Sequence, residues 1–72
     1  MVGTVFFSTS TQAMQAIKAL EEQGIQVGKV RKVANIGQGL GCGYALDLQN
    51  GSLEDALQLL QTADIRYLAY QE

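Results

Sequence analysis

Leu20-Glu21-Glu22-Gln23-Gly24-Ile25 and Leu60-Gln61-Thr62-Ala63-Asp64-Ile65 share one pattern at a spacing of 40 residues. Upstream, Ala16-Ile17 aligns with Ala56-Leu57 at the same spacing. In each copy a leucine closes an apolar helical stripe, a residue suited to a left-handed turn follows, and an isoleucine resumes the chain. Gly24 takes the left-handed conformation that ends a helix, and Ile25 then packs back on Leu20, as a Schellman motif requires. Asp64 is a poorer left-handed residue than glycine but an acceptable one, and Ile65 meets Leu60 in the same way. Two helix stops of one design divide the chain into halves that each read strand, helix, stop, strand.

Outward from the first stop, residues 2–8 are rich in valine, threonine and phenylalanine, which favours a strand. Thr9 to Thr11 supply capping hydroxyls, and Thr9 with Gln12 fits a capping box. Ala13, Ala16, Ile17 and Leu20 form one helical stripe. Residues 27–33 read as the next strand. In the second half, residues 44–48 are a strand and Asn50-Gly51 turns the chain. Ser52 caps the second helix, with Asp55 three residues later. Leu53, Ala56, Leu57 and Leu60 form its stripe, and residues 66–70 are the last strand. The order β-α-β-β-α-β is the ferredoxin-like plan of an α+β domain. It predicts a four-stranded antiparallel sheet with both helices on one face, and an opposite face left open unless a partner covers it. Residues 1–72 make one such domain.

Composition narrows the function classes. A chain of 72 residues buries only roughly 60% of its unfolded surface, so association with other copies is expected to add core. The single cysteine excludes an internal disulfide, and with no histidine a structural zinc site has too few ligands. No metal and no cofactor are therefore expected. A net charge of -2 argues against nucleic acid as a partner. No apolar run is long enough to cross a bilayer, and the N-terminus lacks the basic start of a signal peptide. A cytoplasmic protein with a reduced thiol is the expectation.

That thiol, Cys42, lies in Gly37-Gln38-Gly39-Leu40-Gly41-Cys42-Gly43, where four of the eight glycines alternate. The spacing does not match GxGxxG, no Gly-Lys-Ser/Thr follows, and the segment leads into a strand rather than a helix. It reads as a hairpin connection. A lone cysteine is most often buried and inert. Here Gly39, Gly41 and Gly43 leave the thiol unshielded, so exposure is expected. Lys29, Arg31 and Lys32 precede the loop, and a cation brought near would favour the thiolate. The trio also suits an edge strand, where charge hinders unwanted pairing, or contact with an anion or an acidic partner. With no histidine base and no second cysteine, self-contained thiol catalysis is not expected. Tyr44, Tyr67, Tyr70, Phe6 and Phe7 read as strand aromatics, without the basic-aromatic motif of an RNA-binding sheet. The hydroxyls from Ser8 to Thr11 read as capping groups first and as an anion site second.

Val5-Phe6-Phe7-Ser8-Thr9 before an alanine-rich helix, Leu20 with Gly24-Ile25, Cys42-Gly43-Tyr44-Ala45-Leu46, and Asp64-Ile65 before Tyr67 together resemble the DUF3343 family of small selenium/sulfur carrier-like proteins. The resemblance spans nearly the whole chain. It implies that the Cys-Gly pair before the third strand, here Cys42-Gly43, holds sulfur or selenium as a persulfide-type adduct. The expected function is thus a non-enzymatic carrier or adaptor that serves a transfer enzyme. The alternative is a regulatory or assembly module that oligomerises, or binds a small ligand or protein, through its sheet face.

Overall fold

The computed structural model describes residues 2–72. The chain runs β1 (Gly3–Phe7), α1 (Ser10–Glu22), β2 (Arg31–Val33), β3 (Gly43–Leu48), α2 (Leu53–Thr62) and β4 (Ala69–Gln71). The strands form one antiparallel sheet in the order β2-β3-β1-β4. This is the ferredoxin-like α+β arrangement that the half-repeat predicts. The central pair runs in register from Gly3 opposite Leu48 to Phe7 opposite Tyr44.

Local chemistry sets both helices. Thr9 Oγ1 accepts from the Gln12 N–H at 3.1 Å, and Ser52 Oγ accepts from the Asp55 N–H at 3.0 Å. Each bond satisfies an N-terminal amide that has no helical partner. Only half of the capping box at Thr9 forms, because the Gln12 side chain accepts from the Ser8 hydroxyl at 2.9 Å. Both helices end in the predicted Schellman geometry. Ile25 N–H reaches Leu20 C=O at 3.0 Å and Ile65 N–H reaches Leu60 C=O at 2.9 Å. Gly24 and Asp64 sit at φ +82° and +60° to make those closures.

The helical stripes face one side of the sheet. Ala13, Ala16, Leu20, Leu53, Ala56 and Leu60 pack there with Val5, Phe7, Leu46 and Leu48. Burying each of the larger side chains stabilises the fold by about 1.5–3 kcal/mol, which makes this layer the main source of cohesion.

Three strands are shorter than the sequence predicts, β1 by one residue at each end and β2 and β4 at their starts. Residues 27–33 read as one strand, but the ladder covers Arg31–Val33, with a single bridge from Val27 to Leu48. Between Val27 and Arg31 the register shifts by one residue, residues 28–30 facing 46 and 47 of β3, so regular pairing lapses there although the Gly28 N–H still reaches Asp47 C=O at 2.9 Å. Lys29 therefore precedes the strand rather than lying on it. At the other end, β4 covers Ala69–Gln71 instead of residues 66–70. The chain spends Arg66 to Leu68 passing from the helix layer to the sheet, and Leu68 N–H docks on Phe6 C=O at 2.7 Å. Tyr67 is thus not a strand residue. It packs partly buried against the core, whereas Tyr70 is 56% exposed.

The face opposite the helices is not left bare. Strand alternation places Thr4, Phe6, Gly43, Ala45 and Asp47 on it. The connection from β2 to β3 folds over part of that face. Ala45 is fully buried there, and the Ile36 side chain lies against Gly43. A nine-residue connection that contains Ile36 and Leu40 has apolar area to bury, and the sheet face is the nearest place for it.

Candidate functional site: the Cys42 loop

The connection is a set of nested turns. Asn35 Oδ1 accepts from the Gly37 N–H at 2.9 Å, an Asx turn. Leu40 N–H then closes on Gly37 C=O at 3.0 Å around Gln38 and Gly39, whose φ values are +55° and +76°. Positive φ at both central residues is the signature of a type I′ turn. Ile36 N–H donates to Gly41 C=O at 2.7 Å and draws the two legs of the loop together. Gly41, at φ +76°, redirects the chain into Cys42.

Gly43 serves a different need. A methyl group added there would lie 2.5 Å from the Phe7 carbonyl oxygen and 2.7 Å from Ile36 Cδ1. The position is glycine because backbone and loop approach from two sides. Around Gly39 and Gly41 there is no heavy atom within 4 Å of such a methyl group, so those glycines are needed for their backbone angles alone. Cys42 sits between a backbone-angle glycine and a close-approach glycine, and it is exposed. Because Phe7 pairs with Tyr44, the thiol lies at the sheet end from which α1 departs.

Of the basic trio, Arg31 is engaged with Asp47. Arg31 Nη2 bonds Asp47 Oδ1 at 3.1 Å, and Thr4 Oγ1 donates to the same oxygen at 2.7 Å. The Thr4 hydrogen bond, then that from Arg31, holds the Asp47 carboxyl below the usual carboxylate range. Lys32 pairs in register with Tyr44 on the sheet edge, and Lys29 precedes β2. Ser8 and Thr9 are engaged in helix capping. Among the described residues no group of three or more metal-ligating side chains occurs, and no helix is long and apolar enough to cross a membrane.

A family model described as "Putative Se/S carrier protein-like" matches residues 3–72. The chain belongs to this selenium/sulfur carrier-like family. The match covers every secondary-structure element and the whole Cys42 loop, and it agrees with the resemblance carried by Cys42-Gly43 and the two helix stops. No curated protein and no solved structure matches the chain. Within this family member, Ile36 and Asn35 are the loop residues that sequence reasoning passed over. An apolar side chain set among turn-forming residues, and an asparagine two residues before a glycine, were the signals available for them.

Proposed function

We propose that the protein is a carrier whose working atom is the Sγ of Cys42. The exposure of Cys42 within a turn-locked loop, in a chain of the carrier-like family, is the observation that supports this reading. Loading is a transfer of zero-valent sulfur or selenium between thiols. The Cys42 thiolate attacks the terminal chalcogen of a persulfide on a donor protein. The donor's own sulfur–chalcogen bond breaks and its thiolate leaves, so no external oxidant or reductant is consumed. Delivery is the same exchange, with an acceptor's nucleophile attacking the terminal atom and Cys42 restored as thiolate. Neither step calls for a histidine base or a second cysteine in this chain, since the partner enzymes carry out the chemistry. The role is that of a non-enzymatic adaptor in a reducing compartment, with a transfer enzyme as its partner.

The test is an intact-mass spectrum of protein purified without reductant from cells. Carriage predicts a population heavier by one sulfur or one selenium atom. That mass is lost on treatment with dithiothreitol and is absent from the Cys42→Ser variant. A spectrum of bare protein before and after incubation with a persulfide-loaded cysteine desulfurase would overturn the reading.

A further inference from the structure

We propose that two copies of the chain pair antiparallel through β4 about a two-fold axis, joining their sheets at that edge. The proposal is independent of what Cys42 carries. The sheet has two edges, β2 and β4, the end strands of the order, which do not pair with each other. One side of β4 is paired with β1 and the other side faces outward, where its backbone groups can template another strand.

Charge distinguishes the two edges. Arg31 and Lys32 lie on β2 and Lys29 just before it, so a symmetric pairing there sets cations against cations. In β4 the neutral Ala69, Tyr70 and Gln71 lie between Arg66 upstream and Glu72 downstream. Antiparallel pairing places the leading end of one strand beside the trailing end of the other. A two-fold axis at Ala69, the first residue of β4, brings Arg66, in the segment that leads into the strand, to the same end of the seam as Glu72 of the other copy, and the edge is complementary to itself.

The apolar surface follows the same edge. Four large hydrophobic side chains are exposed among the described residues: Met14, Leu40, Leu68 and Tyr70. Leu40 and Tyr70 line one shallow cleft with Phe6, Ile36 and Ala69, and Leu68 adjoins Ala69 in the chain. Across the proposed axis Leu68 and Tyr70 of the two copies meet and leave water together. Tyrosine suits such a seam, which is apolar with a wet rim. The strand has only three residues, so the pair is expected to be reversible.

The experiment is sedimentation equilibrium over a wide concentration range, with reductant present throughout so that no Cys42 disulfide contributes. The wild-type chain is expected to dimerise. Arg66→Glu alone, or Glu72→Arg alone, places like charges at both ends of the seam and should raise the dissociation constant roughly tenfold. The double exchange Arg66→Glu with Glu72→Arg should restore dimerisation, and Tyr70→Lys should abolish it. Circular dichroism confirms that each variant is folded; all three positions are exposed, and either single reversal serves if the other fails to fold. A wild-type chain that remains monomeric at high concentration would overturn the proposal. So would a dimer indifferent to the single reversals, or one that the double exchange fails to restore.

Discussion

Replacing Gly43 by alanine should be among the most damaging single-methyl changes in this protein. The added carbon would lie 2.5 Å from the Phe7 carbonyl oxygen and 2.7 Å from Ile36 Cδ1, both inside van der Waals contact. The Ile36 side chain has rotamers to yield with. The Phe7 carbonyl does not, because β1 is the central strand, held by β3 on one side and β4 on the other. Relief requires β3 to separate from β1 at its first residues or the loop to lift off the sheet. Overpacking of this kind costs about 2 kcal/mol, and for a domain of this size that lowers the melting temperature by roughly 8–16 °C. Gly41→Ala is the natural comparison, since it has the φ problem without the contact. Its left-handed angle costs about 1 kcal/mol, or roughly 4–8 °C. Thermal melts followed by far-ultraviolet circular dichroism, with urea titrations as a check, measure both variants. Combining Gly43→Ala with Ile36→Ala should recover only part of the loss, because the carbonyl contact remains. A Gly43→Ala protein as stable as the wild type, or full recovery in the double variant, would refute the argument that backbone approach dictates this glycine.

Three further outcomes are expected. Asp64→Gly relieves the φ of +60° at the second helix stop and should stabilise the protein by about 0.5–1 kcal/mol in urea titrations; a loss of stability would show that the aspartate contributes more than its backbone angle. Asp47 has a folded-state pKa lowered from 3.8, chiefly by the Thr4 hydrogen bond, so its contribution is present above that value and lost as pH falls through the folded-state pKa. Asp47→Asn should therefore lower stability at neutral pH by about 1 kcal/mol and flatten the acid limb of a stability-against-pH curve, whereas an unchanged limb would remove Asp47 from that account. Cys42 should be alkylated by iodoacetamide in the native protein at close to the rate seen in urea, and alkylation that waits for unfolding would place the thiol out of reach of any partner.

The helix stops were legible because their chemistry is local. A left-handed residue between a stripe-ending leucine and an isoleucine satisfies the last carbonyls of a helix within six residues, so Leu20 to Ile25 and Leu60 to Ile65 state it in sequence. The caps at Thr9 and Ser52 are local in the same sense. The strand limits were less legible, since a ladder ends where the register with a distant strand is lost, even though that strand continues. Nothing around Gly28 or Leu68 announces that regular pairing lapses there, with single hydrogen bonds to Asp47 and Phe6 remaining. The single cysteine drew attention to its loop, and the alternate glycines indicated exposure, but they concealed two separate reasons for being glycine.

By itself the sequence determined the order of elements, the two helix ends, the buried stripes and the presence of one unshielded thiol. All of these rest on interactions between residues a few positions apart. Tertiary structure decided the rest. It folded Ile36 over the sheet and made Gly43 a contact rather than a hinge. It drew Arg31 to Asp47 and left Tyr70 exposed at an edge while tucking Tyr67 against the core. Each of these depends on residues distant in the chain arriving at one place. Strand periodicity gives the two sides of a strand equal standing until the sheet has neighbours, a covered face and a free edge.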